Sequence, residues 1–106
     1  MTRNLRFAFT AVKVAAWDDH GHFILPVVGC VVKSIFQYLS AGTVTTLIYT
    51  GESTSAGDVV AFLQSNASYS SVPSIHAVIP STSFTIRRVG TQAATYAVSI
   101  TIEVPD

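Results

Sequence analysis

The side chains best suited to chemistry cluster in one short segment near the start of the sequence. Asp18, Asp19, His20 and His22 combine carboxylates with imidazoles. A transition metal ion accepts both kinds of ligand, and His-x-His spacing places two imidazoles on one side of an extended segment. His76 is the one evident further ligand. Because Asp and Gly are also typical of a solvated turn, the segment predicts a turn first and a metal site at Asp18, His20 and His22 second.

A second candidate site lies where a predicted strand leads into a predicted helix, a place where backbone amides can bind an anion. Its residues would be Gly51, Ser53, Ser55 and Gly57. The segment lacks the lysine of a P-loop and the glycine spacing of a dinucleotide fingerprint. A plain connection is therefore the first interpretation, and a ligand-binding loop is the second.

The sequence contains no catalytic constellation that we can identify. His76 could serve as a general base, but no nucleophile motif such as Gly-x-Ser-x-Gly accompanies it. Cys30, the single cysteine, falls in an apolar stretch where a thiol is usually inert packing. We therefore predict no catalytic residue and no cofactor.

The composition favours self-association. Hydrophobic residues make up 49% of the 106 residues and charged residues only 11%, with a formal net charge of zero, whereas an average globular domain carries about 25% charged residues. A surface rich in Ser and Thr is easier to desolvate than a charged one and lacks like-charge repulsion. This pattern predicts a homo-oligomer or a protein partner, with a modestly soluble monomer as the alternative.

Four residues are candidate contacts for such a partner. Tyr38 falls beside the apolar stripe of a predicted helix and Tyr69 in a predicted loop. Aromatic side chains in such places either anchor an interface or cap the core. Arg87 and Arg88 point to opposite faces of a predicted strand, so one could pair with Glu103 across a hairpin while the other contacts a partner.

Several other partners and locations are disfavoured by the sequence. The basic residues are dispersed apart from one Arg pair, which argues against a nucleic-acid partner. The longest apolar stretch is interrupted by Pro26 and Gly29 and is too short to span a membrane. Residues 1–6 lack the pattern of a signal peptide, which predicts a cytoplasmic or particle-associated protein.

Hydrophobic periodicity predicts a single α+β domain over residues 1–106. An apolar stripe over 27–41, with Pro26 before it and Gly42 after it, predicts a first helix, and a similar stripe predicts a second over 56–65. Strict alternation over 95–104 predicts a half-buried strand, paired in a hairpin with 84–89 through the turn at 90–92. The predicted architecture is a mainly antiparallel sheet of four to five strands with two helices packed on one face.

One part of the chain is similar to a known family. Three segments resemble the second half of bacterial microcompartment shell proteins. They are Ser40-Ala41-Gly42, the stretch that follows it up to Glu52, and Ser74-Ile75-His76-Ala77-Val78-Ile79-Pro80. Those proteins have a Gly-rich pore loop, a strand, a helix and a strand ending in Val-Ile-Pro, and the resemblance implies a flat ring with a pore. The first half of the chain departs from that pattern, so we do not assign the chain to the family.

Three functions therefore stay open at this point. The first is a non-enzymatic structural or assembly protein that self-associates, in a viral or shell-like particle for example. The second is a small ligand- or protein-binding module that uses the loop at 51–57 or the segment at 18–22. The third is a small enzyme whose site lies at a subunit interface and uses His76 or His22 as its base.

Overall fold

The computed structural model describes residues 3–14 and 17–105, and of Trp17 and Asp19 only the backbone. Within these residues the secondary structure consists of β-strands and one short 3-10 turn at Ala56–Asp58. No helix that could cross a membrane occurs in this part of the chain. The strands are β1 Arg3–Lys13, β2 Trp17–Ile24, β3 Val31–Leu39, β4 Val44–Thr50, β5 Val59–Ser65, β6 Tyr69–Val72, β7 Ala77–Val78, β8 Ser83–Gly90 and β9 Ala94–Val104.

The strands form two antiparallel sheets. Sheet 1 has the order β1-β9-β3-β6, with β7 also pairing with β3, and sheet 2 has the order β2-β8-β4-β5. With β6 and β7 counted as two pieces of one strand, this is the eight-strand connectivity of a jelly roll, in which two sheets pack face to face. The predicted α+β class, with two helices on one sheet, is therefore wrong.

The first predicted helix is strand β3. Its residues are rich in Val and Ile, whose branched side chains favour a strand. The core-facing residues Val32, Ile35, Gln37 and Leu39 are all at most 1% exposed. A register shift between Val32 and Ser34 separates the first two of them by three positions. Because a bulge inserts one extra residue, an alternating strand imitated the spacing of a helix face.

The second predicted helix is strand β5, which pairs with β4 and follows the 3-10 turn at Ala56–Asp58. Ser55, which precedes that turn, makes no side-chain capping bond. The strand–helix–strand order implied by the resemblance to shell proteins is thus not present between β4 and β7.

The last two long strands exist as predicted but do not pair with each other. β8 lies in sheet 2 between β2 and β4, and β9 lies in sheet 1 between β1 and β3. The alternation expected in β9 is confirmed, since buried and half-buried residues alternate along its whole length. The turn after Gly90 carries the chain from one sheet to the other instead of closing a hairpin.

The core lies between the sheets. Phe84 stacks against Phe23 with ring centroids 5.3 Å apart, and Phe7 meets Phe84 edge-on at 5.1 Å, so aromatic rings join β1, β2 and β8 at one side. Aliphatic side chains from both sheets fill the rest. The buried apolar cluster comprises Leu25, Cys30, Val32, Ile35, Ile48, Ala61, Ile79, Phe84, Ile86, Val98, Ile100, Ile102 and Val104.

Candidate functional site

The segment predicted as a turn is the middle of strand β2, which pairs along its length with β8. His20 lies opposite Arg87 and His22 opposite Thr85. Phe23 packs inside the sandwich, so the alternate residues Asp18, His20 and His22 share the outer face of sheet 2. The His-x-His spacing does place both imidazoles on one side, because the strand is extended.

Asp18 is engaged by Arg87. The guanidinium donates to both carboxylate oxygens, with Nε 2.9 Å from Oδ1 and 3.0 Å from Oδ2, and Nη2 donates to Oδ2 as well. The hydrogen bonds to Asp18 raise the pKa of Arg87 above its ordinary value, and a hydrogen bond to Tyr49 raises it further. His20 Nε2 lies 3.6 Å from Asp18 Oδ1. Arg87 therefore pairs with β2, not with Glu103 as one prediction had it.

A shallow groove of about 560 Å³ opens beside this pair, lined by His20, Gly21, His22, Glu52, Thr54 and Thr85. His22 Nε2 lies 3.7 Å from Glu52 Oε1, and His22 Nδ1 lies 3.3 Å from Thr85 Oγ1. Thr85 Oγ1 donates in turn to the Gly51 carbonyl at 2.7 Å. Strand β2, strand β8 and the loop after β4 thus meet at one imidazole.

In the loop predicted as an anion site, several polar groups form hydrogen bonds with other residues of the protein. Ser53 Oγ donates to Asp58 Oδ2 and accepts from the Ser55 amide at 3.0 Å. Gly51 contributes its carbonyl to Thr85, and Gly57 lies in the 3-10 turn. The loop residues that reach the groove are Glu52 and Thr54, which the sequence reasoning had not singled out.

The remaining sequence candidates lie elsewhere. His76 is exposed in the segment between β6 and β7 of sheet 1. Cys30 is fully buried, donates to the Val27 carbonyl at 3.4 Å, and has its thiol pKa raised mainly by that burial. Across residues 3–14 and 17–105, no three His, Cys, Asp or Glu side chains converge as a metal cluster.

Two of the predicted interface residues meet on the outer face of sheet 1. Tyr38 and Tyr69 lie opposite each other in the β3–β6 ladder with ring centroids 5.0 Å apart, and Phe36 lies 6.2 Å from Tyr69. We call Phe36, Tyr38 and Tyr69 the aromatic patch. Phe36 is 47% and Tyr69 66% exposed.

The two arginines predicted at an interface are not part of this face. Arg87 lies on sheet 2 with Asp18. Arg88 is 6% exposed, with its guanidinium carbon 4.9 Å from the Phe9 ring and 5.2 Å from the Tyr96 ring. Its buried position follows from strand alternation, since Arg87 takes the outward side of β8.

Fold and surfaces together define an antiparallel jelly-roll sandwich with a polar groove on sheet 2 and an aromatic face on sheet 1. The chain is similar in structure to a chain from Bacillus endospore appendages, which form a novel family of disulfide-linked pili, with a TM-score of 0.59 and 17% identity over 96% of this chain and 86% of that one. It also matches a chain of the cyanophage Pam1 capsid, with a TM-score of 0.46 and 17% identity over 99% of this chain and 84% of that one. At this identity the pilus likeness shows a shared fold. No protein-family model and no curated protein matches the chain.

Proposed function

We propose that the protein is a structural subunit that assembles with further copies of itself through the outer face of sheet 1. The aromatic patch is the observation that carries the proposal. Large aromatic rings facing water are candidates for burial, and aromatic residues are enriched at the centres of protein interfaces. Here Phe36 and Tyr38 each contact the Tyr69 ring on one face.

The rest of that face supports a second copy as the occupant. Strand pairing places small and hydroxyl-bearing residues beside the aromatic patch, with Ala97 next to Tyr38 and Ser99 next to Phe36. The next strand continues the rows with Thr10 and Ala8. These side chains are uncharged, so burying them costs little hydration. The neighbouring cation on this face, Arg6, donates from Nε to Ser99 Oγ at 2.9 Å.

The β1 edge of sheet 1 is a poorer contact for a second copy than the face. Strand β1 forms one edge of sheet 1 and contains Arg3, Arg6 and Lys13 but no acidic residue. Two such strands pairing edge to edge would bring like charges together, and positive charge on an edge strand is a recognised protection against that pairing. The face is therefore favoured over the β1 edge.

The contact between copies would be non-covalent. The pilus protein of similar fold belongs to a family described as disulfide-linked pili, whereas the single cysteine of this sequence is buried. A face that meets its own copy is isologous and closes at two copies, so a fibre or a shell-like particle would use a second surface in addition.

Sedimentation velocity over a concentration series tests the proposal. We expect the wild-type mass to rise with concentration and the Phe36→Glu variant to remain monomeric, because a carboxylate in the aromatic patch would have to be desolvated. Phe62→Glu is the matched control, since Phe62 is 60% exposed on the outer face of sheet 2. A wild-type monomer at every concentration, or equal weakening by both variants with far-UV circular dichroism unchanged, would refute the proposal.

A further inference from the structure

We infer that His22 and Glu52 form a binding site for a divalent transition metal ion of the Zn²⁺ type, on the outer face of sheet 2. The site is independent of the aromatic patch, which lies on the other sheet. It also differs from the set expected from the sequence, because Asp18 is engaged by Arg87 and Glu52 comes from a loop distant in sequence.

The hydrogen bonds around His22 leave one ring nitrogen available to a metal. Thr85 has a single hydroxyl proton and donates it to the Gly51 carbonyl. Towards His22 Nδ1 the same oxygen can therefore only accept, so Nδ1 carries the proton in the neutral imidazole. The lone pair then resides on Nε2, which faces Glu52. Metal-binding histidines are typically oriented in this way, by a hydrogen bond from the nitrogen that does not bind the metal.

The distance between the two ligand atoms suits an ion placed between them. Tetrahedral Zn²⁺ with bonds of about 2.1 Å separates neighbouring ligand atoms by about 3.4 Å. His22 Nε2 and Glu52 Oε1 are 3.7 Å apart, which is within a small side-chain adjustment of that value. The same gap is too long for a direct hydrogen bond.

The surroundings allow solvent to complete the coordination. The His22 side chain is 33% exposed and that of Glu52 86% exposed, and the groove beside them is open. Two protein ligands with water in the remaining positions make a modest site. Imidazole with carboxylate favours Zn²⁺, Ni²⁺ or Cu²⁺ over Mg²⁺, which prefers oxygen ligands alone.

Isothermal titration with zinc chloride tests the inference, and magnesium chloride serves as the control ion. We expect one Zn²⁺ per chain and no heat from Mg²⁺. His22→Ala and Glu52→Gln should each weaken Zn²⁺ binding at least tenfold, and Thr85→Val by about tenfold through loss of the orienting bond. His20→Ala is the matched control, an exposed imidazole two residues away on the same face, and should change the affinity less than about twofold.

Nitrogen NMR of the imidazoles gives a readout that does not depend on affinity. Zn²⁺ should shift the His22 Nε2 resonance strongly while Nδ1 stays protonated. Absence of Zn²⁺ binding at millimolar concentration would overturn the inference. So would equal losses in His20→Ala and His22→Ala, or a shift centred on His76.

Discussion

A buried polar pair joins the two sheets at the centre of the sandwich. Thr46 Oγ1 on β4 donates to Gln37 Oε1 on β3 at 2.9 Å, and Gln37 Nε2 donates to the Val44 carbonyl at 3.3 Å. Gln37 is 1% and Thr46 0% exposed, so water cannot replace a lost partner. Thr46→Val keeps the shape of the side chain and removes the donor.

The expected cost follows from what Gln37 then lacks. A buried carbonyl oxygen without a donor costs about 1–3 kcal/mol. We therefore expect Thr46→Val to lower the free energy of unfolding by about 2 kcal/mol. Tm should fall by about 4–8 °C for each kcal/mol lost. Gln37→Leu alone should lower the free energy of unfolding by a similar amount, because it leaves the buried Thr46 hydroxyl without its acceptor.

The double variant separates this explanation from simple loss of packing. When both side chains become apolar, neither the Thr46 hydroxyl nor the Gln37 amide is left without a partner, and only the Val44 carbonyl loses a donor. Replacing both should therefore cost less than the two single changes together. Gln37→Leu with Thr46→Val should thus be more stable than the sum of the single changes predicts, by about 1–2 kcal/mol.

Urea unfolding followed by far-UV circular dichroism measures all four proteins of this cycle. Thr45→Val is the control, since Thr45 is the half-buried neighbour on the opposite side of β4, and it should change stability by less than about 0.5 kcal/mol. If the two single changes add within about 0.5 kcal/mol, the pair is not coupled and the reasoning is refuted.

Two further predictions concern backbone strain and the buried thiol. Gly42 has φ +75° and an added Cβ would lie 2.7 Å from Gln92 Cγ, whereas Gly51 has φ +68° with nothing within 4 Å. In urea unfolding, Gly51→Ala should therefore cost about 1–2 kcal/mol for the left-handed backbone and Gly42→Ala clearly more; equal costs would contradict the clash. Burial raises the pKa of the Cys30 thiol above its ordinary value of 9.0, so the thiol of the unfolded chain ionises at a lower pH than that of the folded chain. The free energy of unfolding should therefore fall as pH rises above about 9. The Cys30→Ala variant should lack this contribution to the fall. A native thiol that reacts with a disulfide reagent as fast as in urea would contradict its burial.

A strand pattern was readable from the sequence where the two sides of the strand differ without interruption. In β9 the alternation of apolar and hydroxyl residues is unbroken and the strand is confirmed. In β3 the bulge at Val32–Ser34 changed the spacing, and proximity of Pro26 and Gly42 to the apolar stripe resembled helix ends. A local periodicity cannot distinguish a bulged strand from a helix face, whereas the density of Val and Ile in the segment could have.

The pairing between strands that are distant in the sequence could not be predicted from local sequence patterns. The turn at 90–92 joins two strands that alternate well, which favours a hairpin, yet each strand finds its partners in a different sheet. The contacts at His22 have the same origin. Glu52 and Thr85 approach it only because β2, β4 and β8 share one sheet, and nothing in the local sequence of any of them specifies that order.

The proposed assembly depends on β3 being a strand and not a helix. If the segment were a helix, Phe36 and Tyr38 would lie beside its apolar stripe and would belong largely to the core. On strand β3 the inward positions belong to Ile35, Gln37 and Leu39, so the two aromatic residues must face outward, where β6 adds Tyr69. The low charge of the sequence says only that some surface tolerates desolvation. The alternation of β3 says which surface, because it puts uncharged aromatic area on the outside of sheet 1, where only another molecule can bury it.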